Sequence, residues 1–279
     1  MQPVDDAAGL TAEIERIKRQ ATRFSTNWLV KPGQVQGWID RGVLFQAAET
    51  DAILIFRRDR DFFHLYHAAA DQDRLSSALS SVRNMTVTTD IVGLPGDVSE
   101  VAETYQKNGF RERRTLIRMV RITAGEATAP LQSTAPLQSR PGTNSEVTFA
   151  DPADVSAVNA FFDQVLDPLA DQIPDLDELR EMAAQRKILM VRRERAVGGV
   201  LVFEVIGFTS LLRYWYVNPA YRDQGIGAQL IRTFFQLSRG TKRILLWVVS
   251  NNGDAIARYQ HYAFTRERLV DCVLTKKAD

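Results

Sequence analysis

The segment Tyr216-Val217-Asn218-Pro219-Ala220-Tyr221-Arg222-Asp223-Gln224-Gly225-Ile226-Gly227-Ala228 leads from a strand-like run into a helix-like one through a turn with two glycines one residue apart. Such a turn aims several backbone N–H groups at one point, beside the positive end of a helix, and that arrangement suits a pyrophosphate. Glycine serves there because a Cβ would hold the phosphate off the backbone. Arg222 adds a cation on the same loop. Close packing of a helix on a strand is an alternative reading of the same two glycines. A dinucleotide fold wants a third glycine where Leu230 stands and an acidic residue near the end of the next strand; a Walker loop wants Gly-Lys-Ser/Thr. Neither pattern is in the sequence. The single cysteine, Cys272, excludes an intramolecular disulfide, and the three histidines, His64, His67 and His261, show no metal-ligand spacing. His64 and His67, three apart on a strand-like run, should face opposite sides. A cosubstrate with its own reactive group fits this inventory better than a metal.

The pattern Arg222-x-x-Gly225-x-Gly227, with Val217-x-Pro219 before it and an amphipathic helix after it, resembles the acyl-CoA pyrophosphate loop of the GNAT superfamily of N-acyltransferases. Beyond one apolar strand, Asn252-x-x-Ala255-Ile256-x-x-Tyr259-x-x-x-Ala263-Phe264 resembles that superfamily's second motif, whose usual ending is Gly-Phe. Alanine at 263 serves provided the backbone there is not left-handed. The resemblance implies that the backbone of Val217 to Tyr221 runs beside pantetheine, where the strands Ser210 to Val217 and Ile244 to Val249 splay apart, and that a backbone N–H near Tyr216 or Val217 steadies the oxyanion. It places Arg222 and the N–H groups of Gln224, Gly225, Ile226, Gly227 and Ala228 at the pyrophosphate, has Asn252 hold pantetheine or an ordered water, and counts Ala255 among the cosubstrate-binding residues. Tyr259 would protonate the departing CoA thiolate, a task that suits a phenol of pKa about 10. Asn252 reads equally as a helix cap, and Tyr259 as a core tyrosine.

Relatives of this family often carry a carboxylate base on the strand before Val217, but Arg213, Tyr214 and Trp215 stand there. Glu204, on the neighbouring strand, is the candidate base, directly or through water; a solvated strand residue is the other reading. Between Asp163 and Glu181 the carboxylates Asp163, Asp167, Asp171, Asp175, Asp177, Glu178 and Glu181 face one base, Arg180. They suit a cationic amine acceptor or, equally, a solvated helix face.

The elements that must position these residues follow from periodicity. Strands are expected at Glu146 to Phe149, Lys187 to Arg192, Val197 to Ile206, Ser210 to Val217, Ile244 to Val249 and Arg266 to Thr275. Helices are expected at Asp154 to Val165, Asp175 to Arg186, Gly225 to Ser238 with Gly240 ending it, and Asn252 to Tyr262. Upstream, a hairpin of Val43 to Glu49 and Ala52 to Arg57 leads to a strand at Phe62 to Ala68 and a helix from Asp71 to about Val82. A strand at Met85 to Ile91, a helix at Ser99 to Asn108 and a strand at Arg114 to Ile122 complete that half. The expected fold class is α/β (α+β), with two GNAT-like domains, each a mixed, mostly antiparallel sheet flanked by helices.

Residues 1–122 form the first domain, the proline-bearing APLQS repeat of 123–145 a linker, and 146–279 the acyl-CoA-binding domain. Tyr105-Gln106-x-x-Gly109-Phe110 followed by RERR matches Tyr259-Gln260-x-x-Ala263-Phe264 followed by TRER, a sign of duplication. The first copy lacks the Arg-x-x-Gly-x-Gly pattern, so it reads as degenerate and should not bind CoA by this route. With 45% hydrophobic and 25% charged residues and a net charge of +1, nothing points to nucleic acid or to a membrane surface. A cytoplasmic protein is expected, with no metal, acetyl-CoA as cosubstrate, a small-molecule or peptide amine as partner, and a homodimer left open. The implied reaction is acetyl transfer to a primary amine; a non-catalytic acyl-CoA sensor or scaffold is the competing reading.

Overall fold

The opening acidic pair starts a helix. Asp6 accepts hydrogen bonds from the N–H groups of Ala8 and Gly9, both at 2.9 Å, and Leu10, Ile14 and Ile17 bury one stripe of the helix that follows. The computed structural model describes residues 1–30, 32–123, 147–193 and 196–278. Apart from Thr123, the expected linker lies outside the described residues, as does Glu146.

The chain divides into two units: Met1–Ile117 with Arg268–Asp279, and Arg118–Glu267. In the first unit the helices are α1 (Ala7–Gln20), α2 (Pro32–Asp40), α3 (Gln72–Ser80) and α4 (Pro95–Lys107). Its strands are β1 (Gln2–Pro3), β2 (Ser25–Thr26), β3 (Leu44–Glu49), β4 (Ala52–Asp59), β5 (Phe62–Ala69) and β6 (Val87–Gly93), with most of β7 (Arg111–Ile122). Helix α4 begins four residues ahead of the expected Ser99, because Pro95 in the first turn already has the helical φ and needs no N–H partner. The two short strands, α1 and α2 have no counterpart among the expected elements.

The second unit holds β8 (Val147–Phe149), α5 (Val155–Val165), α6 (Leu176–Ala184), β9 (Ile188–Arg193), β10 (Ala196–Ile206), β11 (Thr209–Val217), α7 (Ile226–Leu237), β12 (Arg243–Val249) and α8 (Gly253–His261). Gly240 does not end α7; the helix stops at Ser238, whose N–H still donates to Phe234 O. The last strand, β13 (Thr265–Lys276), runs through residue 267, so its larger part is counted with the first unit. There it pairs antiparallel with β6 from Val270↔Gly93 to Lys276↔Val87. The end of β7 in turn belongs to the second unit, where the N–H of Thr123 donates to Lys242 O at 3.1 Å. Division by sequence order, at 122 and 146, therefore differs from the units at one strand in each.

Within each unit most neighbours are antiparallel, with one parallel pair, β5–β6 in the first and β11–β12 in the second. Leu65, Leu75, Leu79, Tyr105, Cys272 and Leu274 pack on the α3–α4 face of the first sheet, and Ile17, Trp38, Ile55 and Ala68 on the α1–α2 face. In the second unit Phe162, Leu179, Met190, Val200 and Tyr214 form the core under α5 and α6.

Candidate active site

Strands β11 and β12 run side by side at only four positions, Thr209↔Arg243 to Leu212↔Leu246. At the next residue β11 bulges: Val202 faces Tyr214 and Phe203 faces Leu212, so Arg213 has no opposite number. A bulge bends its strand. From here β11 continues to Val217 along β10 alone, leaving its other edge open.

The register fixes which groups line that edge. The N–H of Asn218 donates to Gly198 O at 2.9 Å. Alternation then turns the N–H groups of Tyr216 and Tyr214 to β10, and those of Trp215 and Val217 to the open edge. Of the two expected backbone groups, Val217 lies on the cleft side and Tyr216 does not. The side chains alternate as well: Tyr214 and Tyr216 pack into the α5–α6 core, while Trp215 and Val217 face α7.

Gly225 has φ +73°, left-handed, which glycine adopts without the Cβ penalty. It stands at the N-cap of α7 and no side chain caps the helix, so the N–H groups of Ile226, Gly227 and Ala228 face outward from the first turn. Geometry and dipole there suit an anion. Gly227 serves packing too: a Cβ there would stand 3.3 Å from Val217 Cγ2 and 3.5 Å from the Trp215 ring. The packing reading is compatible with the pyrophosphate one. Arg222 and Gln224 are exposed on the same loop.

On α8, Asn252 is a cap: its Oδ1 accepts from Ala255 N at 3.1 Å, which takes up the Ala255 N–H. Tyr259 is half-buried, with its ring 5.8 Å from Trp215 and 5.8 Å from Phe264. Burial, with Tyr216 close by, holds its phenol above the ordinary tyrosine range, so it stays protonated at neutral pH. Ala263 has φ +62°. The condition set for alanine at that place therefore fails, and the residue carries backbone strain that Gly109, at φ +87°, avoids in the first copy.

Glu204 lies opposite Leu211, with one oxygen taken by Arg213 Nη1 at 2.9 Å. Arg213 Nη2 reaches Gln172 O at 3.4 Å, and the Tyr214 hydroxyl donates to the same carbonyl. The acidic stretch is a set of local structural bonds. Asp175 accepts from the N–H groups of Asp177 and Glu178, and Glu178 accepts from that of Asp175. Asp167 accepts from Leu169 N and Asp171 from Asp167 N. Asp163, Asp177 and Glu181 meet Asn159, Arg180 and Gln185. The solvated, self-capped face is thus the better account of these charges.

The first unit repeats the plan and closes it. Strands β5 and β6 are parallel only at Phe63↔Val87 and His64↔Thr88, and the gap beyond is filled by the chain itself. Strand β2 lies antiparallel on β5, Ser25↔Ala69 and Thr26↔Ala68. Asn27 bridges the splayed strands, accepting from His67 N at 2.7 Å and donating to Thr89 Oγ1 at 2.8 Å and Asp90 O at 3.0 Å. Helix α3 is capped by the Asp71 carboxylate, which accepts from Arg74 N at 2.8 Å, where a bound anion would need the position free. His67 and His64 face opposite sides as expected: His67 meets Tyr105 and Ser25, His64 meets Asp59. Among the described residues no group of three or more His, Cys, Asp or Glu is placed to hold a metal.

Residues 158–264 match the model of the Acetyltransferase (GNAT) family. The second unit carries a GNAT domain. The GNAT fold extends over the whole chain. A tandem GNAT protein from the clavulanic acid biosynthesis pathway, 11% identical, is covered to 98% by all of this chain with a TM-score of 0.57. A Drosophila protein, 12% identical, gives 0.58 over 100% of this chain and 99% of its own. A GCN5-related N-acetyltransferase from Sphaerobacter thermophilus, 14% identical, gives 0.55 over 89% of this chain and 86% of its own. No curated protein matches the sequence. The whole chain thus has the fold of a tandem GNAT protein, and in its first unit β2, Asn27 and Asp71 occupy the places that stay open in the second. Sequence reading missed Trp215 as a site residue, although the alternation along β11 puts its ring with Val217 on the α7 side.

Proposed function

We propose that the second unit is an N-acyltransferase that moves an acetyl group from acetyl-CoA directly to a primary amine of a small molecule or peptide. The observation that carries it is the open edge of β11 beyond Leu212, running from the uncapped start of α7 to Tyr259. Acetyl-CoA, when bound, supplies the thioester carbonyl and the thiol leaving group. Gly225 and the first turn of α7 hold the pyrophosphate, with Arg222 beside them. The N–H groups of Trp215 and Val217 take the place of a neighbouring strand for an extended amide chain and present a donor to the carbonyl oxygen. Tyr259, kept protonated, gives its proton to sulfur. Glu204, with its other oxygen unassigned to Arg213, receives the amine's proton through water.

The pairing of Glu204 with Arg213 also favours a second reading, an acyl-CoA sensor that does not turn over. CoA release in the presence of amino acids, polyamines, amino sugars and short peptides separates the two. With an amine that reacts, Tyr259→Phe should lower kcat roughly ten- to a thousandfold with acetyl-CoA affinity nearly unchanged, as expected when one general acid is lost and water partly replaces it. Wild-type turnover in the Phe variant, where chemistry limits the rate, removes Tyr259 from the mechanism.

A further inference from the structure

Three buried polar atoms on the α7 side of the second unit have no partner among the described residues: Trp215 Nε1, Gln229 Oε1 near the start of α7 and Ser238 Oγ at its end. An indole N–H can only donate, and buried donors are almost always paired. The Trp215 ring lies 5.8 Å from that of Tyr259 and 6.0 Å from that of Tyr262, and its Nε1 is 3.6 Å from where a Cβ on Gly227 would stand. It therefore sits where the open edge of β11 meets the anion-binding turn.

The first unit shows what satisfies a ring in this setting. His67 stands on β5 beyond the last parallel pair, as Trp215 stands on β11, and faces Tyr105 of α4 at 5.7 Å between ring centroids, as Trp215 faces Tyr259 of α8. Both His67 nitrogens are engaged: Nδ1 lies 2.9 Å from the Tyr105 hydroxyl and Nε2 3.0 Å from Ser25 Oγ. Ser25 belongs to β2, the extended segment laid along β5. No described segment lies along β11 in that manner, and there the ring donor is unpaired.

We propose that Trp215 is a positioning residue for the cosubstrate: its indole N–H donates to an amide carbonyl of the pantetheine arm, which lies along β11 as β2 lies along β5. This rests on the acyl-CoA reading above and adds to it a side chain that selects the arm rather than the nucleotide. The test titrates acetyl-CoA and 3′-phospho-ADP, which keeps the diphosphate and lacks pantetheine, into the full chain and into Trp215→Phe by calorimetry. Binding of acetyl-CoA by the wild type bears on the acyl-CoA reading alone; its absence removes that reading. Given binding, the variant should lose about tenfold in acetyl-CoA affinity, ~1.4 kcal/mol, with 3′-phospho-ADP unchanged. Equal loss for both ligands, or for neither, overturns the assignment. A measurement on the wild type guards against a variant that folds poorly. The chain has four tryptophans, and the Trp215 indole N–H resonance, assigned by elimination against Phe variants of Trp28, Trp38 and Trp247, should move downfield with acetyl-CoA and stay put with 3′-phospho-ADP. An unmoved resonance in the acetyl-CoA complex also overturns it.

Discussion

Ala263 and Gly109 hold the same place in the two copies, the turn between the tyrosine-bearing helix and the strand after it, and both backbones are left-handed. Gly109 meets that demand without a Cβ; Ala263 meets it with one, so the methyl group crowds its own backbone. The adjoining residues hold the turn regardless: Ala263 N donates to Gln260 O at 2.9 Å, Phe264 N donates to Tyr259 O at 3.0 Å, and the Phe264 side chain is buried. Ala263→Gly should therefore stabilise the protein by roughly 0.5–1 kcal/mol, the relief of strain being partly offset by the greater freedom of glycine in the unfolded chain. A urea midpoint that falls in the variant contradicts this account. At this scale the sequence singles out the motif residues, because two motifs in order are specific, and their roles at acetyl-CoA are those proposed above. It missed Trp215, whose meaning lies in the bulge at Arg213 and in the register with β10, and neither can be read from residue types.

The two copies differ at the level of elements by what fills the splay and what caps the helix. In the second unit the helix start is a left-handed glycine with no cap, whereas Asp71 closes α3 in the first. In the first unit β2 and Asn27 occupy the gap, and His67 is locked between Ser25 and Tyr105. A two-residue strand has no periodicity to detect, so sequence reading found the missing glycines and not the plug. The lock has a pH signature. Burial depresses His67 to about 3 from the ordinary 6.5, so the folded state binds its proton far later than the unfolded state does. His67 thus contributes stability that is complete above about pH 6.5 and is lost as pH falls toward 3, at about 1.4 kcal/mol per pH unit. Thermal melts of wild type and His67→Gln between pH 7 and 4 should show the wild type losing stability more steeply. Parallel slopes would place the acid sensitivity elsewhere.

At the scale of the molecule, the order of the sequence and the composition of the units part company. Periodicity reveals that Arg266 to Thr275 is a strand, but not which sheet receives it, because strand pairing is decided by distant partners. The C-terminal residues complete the first unit: Cys272 and Leu274 are buried in its α3–α4 core, and Lys276 Nζ donates to Val82 O at 2.7 Å and Asn108 O at 3.0 Å. The second unit holds its own cleft, helices and bulge within Arg118–Glu267. A chain ending at Glu267 should therefore lose the fold of the first unit, with amides of β4, β5 and β6 exchanging far faster than in the full chain. It removes three buried apolar side chains, Cys272, Val273 and Leu274, together with a whole ladder of hydrogen bonds to β6, a loss comparable with the roughly 5–15 kcal/mol by which a domain is stable. Amides of β10, β11 and α7 should stay protected, and the truncated chain should still take up one acetyl-CoA per molecule, since among the described residues only those of the second unit set an uncapped helix start beside an open strand edge. Loss of protection in both sets of amides would mean that the two units fold as one, and two acetyl-CoA molecules bound to the full chain would mean that β2 does not close the first cleft.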